Sequence, residues 1–215
     1  MAIPKTLQQK IDEGRQYRRI DVSGLELRAE GDEMIVEGYA TTFNEPYELF
    51  RYDNYTVMEQ IDSGAFEHTD MTDVIMQYDH EGRVFARTKN RTLMLTVDDH
   101  GLKVRANLGG TELGRQLYEE IKGGYTDKMS FGFTVEEDTR TETENHETGA
   151  VTILRTITGI RKLYDVSAVS LPANNATEIS ARSLCEGVIA ELEEERRKRD
   201  ELERRKQKIR ILTEV

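Results

Sequence analysis

The sequence has one cysteine (Cys185), three prolines and no tryptophan in 215 residues. A single thiol excludes an intrachain disulfide framework and any cysteine-rich zinc site. Apolar residues make up 37% of the chain and charged residues 33%, whereas an ordinary globular domain has about 45–50% and about 25%. That leaves too little apolar material to bury everything, so part of the chain is expected outside the core. Apolar runs of the roughly 18–20 residues that span a bilayer are missing, and no signal peptide is recognised. The chain therefore reads as a soluble protein of a reducing compartment that engages no membrane. Positive charge is also short: 30 Lys and Arg stand against 41 Asp and Glu, a net charge of −11. Such a field repels polyanions, so direct nucleic-acid binding through a general phosphate field is not expected.

The charge is unevenly placed. Residues 184–215 carry nine basic and nine acidic residues, so residues 1–183 hold the entire −11. The tail reads ELEEERRKRDELERRKQK, with Glu193–Arg197, Glu194–Lys198, Glu195–Arg199, Asp200–Arg204 and Glu201–Arg205 as acid-before-base pairs. At i,i+4 spacing each pair supports a helix by about 0.2–0.5 kcal/mol. Leu184, Val188, Leu192, Leu202 and Ile209 form an apolar stripe that Glu195, Arg199 and Lys206 interrupt, so a clean heptad is absent. Two readings of the tail stay open, a solvated single helix and a helix that binds a partner or itself. The first stretch, MAIPKTLQQKIDEGRQYRR, is polar and shows no strand pattern. The expected organisation is a polar arm over 1–30, a folded body over 31–183 and a charged helical tail over 184–215.

The body reads mainly as strands. Residues 34–43 (MIVEGYATTF) are β-rich and broken by Gly38, where a bulge or close backbone approach is expected. Residues 55–61 and 74–78 are short apolar runs, and residues 91–97 and 102–108 flank a turn at Asp98-Asp99-His100-Gly101. Residues 111–122 (TELGRQLYEEIK) form the one convincing internal helix. Thr111 can cap it, Leu113, Leu117 and Ile121 share a face, and Gly123-Gly124 ends it. Strand resumes over 129–136 and 151–171, separated by the polar tip TRTETENHETG. Many strands with few helices predict a mainly β, α+β fold whose antiparallel-rich sheet is curved or closed into a barrel, followed by a long charged helix.

Four histidines narrow the search for chemistry. His68, in FEHTDMTD, reads as a loop or helix-end residue, and His146 belongs to the charged tip. His100, in DDHG, is explained by turn chemistry. A metal reading of Asp98, Asp99 and His100 is weakened because consecutive strand residues point to opposite faces. His80 closes the apolar run VIMQYDH, where a buried strand emerges and a rigid backbone can present an imidazole to a reacting group. Ser130 stands in KMSFGFTV, sharing a face with Gly132 while Met129, Phe131 and Phe133 fill the other. It reads either as a nucleophile with room for a substrate backbone or as an ordinary half-buried strand serine. In LYDVSAVSLPA, Asp165 and Ser167 face one way. A carboxylate on so apolar a strand needs a partner, and a histidine whose tautomer it fixes is an economical one. Cys185 has no neighbouring base and does not read as a catalytic thiol.

Together these three segments resemble the prohead (procapsid maturation) serine proteases of tailed bacteriophages, distant relatives of the herpesvirus assemblin proteases. The resemblance rests on QYDH with His80, Ser130-Phe131-Gly132-Phe133 fifty residues after it, and the Leu-x-Asp-Val-Ser-x-Val-x-x-Pro-Ala segment that begins at Leu163. The helix and Gly-Gly before the serine strand and Phe66 in SGAF also fit. It implies an assemblin-like fold with Ser130 as nucleophile, His80 as base and acid, and Asp165 as orienting acid. Many family members carry glutamate at the last position, so the shorter aspartate must approach the histidine more closely. No cofactor or metal is implied. The implied substrates are a scaffold protein or the scaffold-like arm of the major capsid protein, and the protease itself. Action is placed inside the assembling prohead, in the host cytoplasm, with a homodimer or higher oligomer as a further expectation. The charged tail would then serve as a docking element that self-cleavage could discard. Two competing readings are a non-catalytic internal scaffolding protein of the same fold, and a metal-dependent hydrolase using Asp79, His80, Asp98, Asp99 and His100.

Overall fold

The computed structural model describes residues 13–20, 25–31, 33–169 and 175–213. The first twelve residues of the polar arm, and Leu171, Pro172 and Ala173 at the end of the third segment, lie outside the described residues. In chain order the strands are β1 (Gln16–Ile20), β2 (Glu26–Glu30), β3 (Glu33–Thr42), β4 (Tyr47–Tyr52), β5 (Tyr55–Ile61), β6 (Ile75–Tyr78), β7 (Glu81–Arg87), β8 (Leu93–Val97), β9 (Gly101–Asn107), β10 (Lys128–Glu144) and β11 (Val151–Val169). The helices are α1 (Glu112–Lys122) and α2 (Asn175–Thr213).

The long hairpin β10–β11 is the frame. On its outer side β10 pairs antiparallel with β1; on the other side β11 carries two parallel partners in succession, β5 against 151–157 and β6 against 165–168. The seven-stranded sheet runs β1-β10-β11-β5-β4, with β6 attached at β11 and β7 paired to β6, and a second sheet runs β2-β3-β9-β8. A closed barrel is not found among the described residues, where β1 and β4 stand as edges of the larger sheet.

The core follows from alternation. Met129, Phe131 and Phe133 are buried with Val166 and Ala168 across the hairpin, and the Phe131 and Phe133 rings stack at 4.6 Å. Burying each of the methionine, phenylalanine and valine side chains stabilises by about 1.5–3 kcal/mol. From the second sheet Val36, Leu102, Val104 and Ala106 join this cluster, as do Leu117, Tyr118 and Ile121 of α1. Thr111 caps α1 by accepting from the Gly114 amide at 2.9 Å. The buried face of α1 is Gly114-Leu117-Tyr118-Ile121, so Leu113, expected on it, is instead 38% exposed. Gly38 is a close approach, since an added Cβ would lie 2.8 Å from a Leu25 methyl.

Four strands differ from the sequence reading. β1 lies almost wholly in the stretch expected to lack a strand pattern, β2 lies in the remainder of the expected polar arm, and β4 and β7 have no counterpart in the expected elements. The strand over 129–136 continues to Glu144 through the polar stretch, because residues 138–144 pair with residues 151–157 of β11. Backbone pairing there needs no buried side chain.

Contacts divide the chain into Met1–Ala181 and Arg182–Val215. In the second unit Glu194 pairs with Lys198 at 3.4 Å and with Arg197, and Glu203 pairs with Lys206 at 2.7 Å. Leu202 and Ile209 of the interrupted stripe are 53% and 54% exposed. Among the described residues no helix is long and apolar enough to cross a membrane.

Candidate active site

His80 sits in a two-residue loop. Tyr78 of β6 pairs with Glu81 of β7, and the intervening Asp79 and His80 have φ of 49° and 61°. Two successive left-handed residues make the turn that matches strand twist in tight hairpins. Neither residue is glycine, and such conformations persist where surrounding contacts over-determine them. Here the Asp79 amide donates to the Ala168 carbonyl at 3.1 Å, and the His80 amide donates to Ser167 Oγ at 3.2 Å. The loop is thus fastened to the strand that carries Asp165.

The three residues expected from the sequence come together. His80 Nδ1 lies 2.5 Å from Asp165 Oδ1, and His80 Nε2 lies 2.6 Å from Ser130 Oγ. All three are 1% exposed. With Asp165 Oδ1 accepting a hydrogen bond from Nδ1–H, Nε2 is left as the acceptor for a serine proton. Ser167 is completely buried and ties the group together, donating to Asp165 Oδ1 at 3.1 Å while accepting from the His80 amide. Gly132 pairs with Asp165 across the hairpin. A Cβ on Gly132 would sit 2.5 Å from Asp165 Oδ2 and 2.8 Å from Tyr17 Cε1, so the space read as room for substrate holds the carboxylate and a tyrosine ring.

The site has a cover that the sequence reading missed. β1 lies along β10 with Arg19 opposite Ser130, and Ser130 Oγ donates to the Arg18 carbonyl at 2.9 Å. The single hydroxyl proton therefore has two acceptors, the imidazole and this carbonyl. The Tyr17 ring stands 4.5 Å from the His80 ring, and burial, then the Asp165 charge, push its phenol well above the usual tyrosine range. On the other face of β1 the Arg18 side chain is 1% exposed. It donates to Glu59 from Nε at 2.5 Å and from a terminal nitrogen at 3.0 Å, and to Gln16 at 2.8 Å. Glu59 also accepts from Arg155 at 2.7 Å and Tyr47 at 2.5 Å, and Arg155 continues to Asp138. Burial alone would raise the Glu59 carboxyl, but the two guanidiniums outweigh it and hold the group below its ordinary value. Glu59 had a legible signal: alternation in β5 puts it on the buried face with Tyr55, Val57 and Ile61, where an acid requires a cation.

Apart from Asp79, which shares the loop of His80, the remaining candidates lie elsewhere. His68, His100 and His146 are exposed. Asp98 accepts from the His100 and Gly101 amides and from Tyr39, closing its turn. Asp79 is raised by burial. Among the described residues no group of three or more His, Cys, Asp or Glu side chains is placed to hold a metal ion.

The family model described as caudovirus prohead serine protease matches residues 20–188. A similar solved structure is that of the bacteriophage T4 capsid assembly protease, gp21. It shares 13% sequence identity with a TM-score of 0.40, covering 74% of this chain and 99% of that one. No curated protein matches the chain.

Proposed function

Because this chain belongs to the caudovirus prohead serine protease family, we propose that it is an endopeptidase of capsid maturation working through Ser130, His80 and Asp165. The observation that carries the reading is the continuous path from hydroxyl through imidazole to carboxylate, at 2.6 Å and 2.5 Å, between residues on three different strands or loops. A serine hydroxyl is a weak nucleophile at neutral pH and needs a base at hydrogen-bond distance. His80 Nε2 removes the proton as Oγ attacks a peptide carbonyl carbon. The imidazolium, stabilised by Asp165, then returns that proton to the leaving amine. Water, activated by the same nitrogen, hydrolyses the acyl-serine.

The substrates are a scaffold protein or the scaffold-like arm of the major capsid protein, and the chain itself, met inside the assembling prohead in the host cytoplasm. Support comes from the family description, which names the prohead, and from the chain's own β1 lying against Ser130. Intact-mass measurement of the purified chain beside its Ser130→Ala variant tests the reading. Truncated species are expected in the first and the full mass in the second; equal processing in both would refute the assignment.

A further inference from the structure

We infer that the protease selects arginine at the residue whose carbonyl is attacked, and that Glu59 reads it. This rests on the proposed Ser130 chemistry and names its substrate preference. The position of β1 is the starting point. It pairs with the edge of β10, the strand that carries Ser130, so its place in the sheet is one that an extended peptide can take by strand addition. β1 also lies almost wholly before residue 20, where the family match begins. The carbonyl resting on the nucleophile is that of Arg18, which makes Arg18–Arg19 the peptide bond presented to Ser130.

The side chain of that residue enters a site built for a guanidinium. Glu59 takes it with both carboxylate oxygens, Gln16 Oε1 and the Tyr17 carbonyl take further N–H groups, and Glu59 is completely buried. Gln16 and Tyr17 belong to β1 and leave with it; Glu59, Arg155, Asp138 and Tyr47 stay. Of these, two carboxylates face one guanidinium, so the vacated pocket is one positive charge short. A planar fork of donors fills it better than an ammonium, and a neutral or acidic side chain leaves a buried charge uncompensated. When such a substrate reacts, Ser130 Oγ bonds to the arginine carbonyl carbon, the bond to the next nitrogen breaks, and His80 hands its proton to the amine.

The test uses the full chain and a panel of peptides Gln-Tyr-Xaa-Ala-Ile with flanking solubilising residues, Xaa being Arg, Lys, Gln, Glu or Leu, together with unfolded casein. Products are mapped by mass spectrometry, with Ser130→Ala as control. Cleavage on the carboxyl side of Xaa is expected, with kcat/KM for arginine about tenfold above lysine and about a hundredfold above glutamine. In Glu59→Gln the arginine-to-glutamine ratio should shrink to within about threefold; should that variant not fold, the wild-type panel decides alone. Ser130-dependent cutting of casein without arginine preference in the panel overturns this inference and leaves the protease reading standing. So does a folded Glu59→Gln chain with an unchanged ratio. Absence of Ser130-dependent cleavage of casein, peptides and the chain itself overturns both.

Discussion

Two buried polar clusters flank β1, and they are built on opposite principles. On one face, His80 and Ser130 are joined in a single file of short hydrogen bonds that ends on one carboxylate. On the other, Glu59 accepts from two arginines and a tyrosine, and Arg155 bridges it to Asp138. The first arrangement holds a proton that can move along the file, while the second fixes every charge from several directions. A buried ion network adds little net stability over apolar packing, but removing one partner from it is expensive. The comparison therefore separates variants that stop chemistry from variants that unfold the chain.

Asp165→Asn gives the sharpest contrast. The fold should survive, because the amide keeps the shape, while kcat falls on the order of 10⁴-fold through the wrong imidazole tautomer. Casein hydrolysis paired with a thermal melt checks this; a rate within tenfold of wild type would show that Asp165 does not orient His80. Glu59→Ala should do the reverse to stability, losing about 3–5 kcal/mol in urea unfolding because two guanidiniums are left with one fewer anion. A loss below about 1 kcal/mol would mean the network is hydrated rather than sealed. Ser167→Ala removes a donor to Asp165 and an acceptor for the His80 amide, and should lower kcat about tenfold with KM unchanged. Ser167→Thr should restore most of it, which a purely packing role would not predict.

The smallest effect is in pH. Glu59, Asp70, Asp73 and Asp98 are all held below their ordinary carboxyl values in the folded chain. Their stabilisation is therefore present above the unfolded carboxyl range near pH 4, and it is lost as pH falls through the lower folded values. Asp79, raised by burial, opposes them. Tyr17 and Tyr47 are raised, chiefly by burial, so their contribution is complete below about pH 10 and declines above it. Melting temperature should be flat between about pH 5 and pH 9 and fall at both ends.

How much of this was readable in the sequence divides along the same line. Ser130, His80 and Asp165 stand in short segments whose residue types are unusual for strands, and those segments resemble a family. β5 is legible as a short apolar run, the β8–β9 hairpin from the turn between its strands, and α1 from its cap and apolar face. β1 is not, because its buried residues are Tyr17 and Arg18, and an arginine pulled inward by Glu59 reads as surface in any hydropathy pattern. β4 buries no residue fully and β7 buries only Ala86, so their strand character comes mainly from backbone pairing with β5 and β6. Asp165 was expected to need a histidine; that it also needs Gly132 opposite it, with no side chain in the way, is visible only when the hairpin register is known.

The most direct measurement of the central claim is the rate of casein cleavage by Ser130→Ala against the wild-type chain at equal concentration. A fall on the order of a millionfold, to background, with an unchanged melt, is the expected result. A variant that retains a tenth or more of the wild-type rate would contradict it.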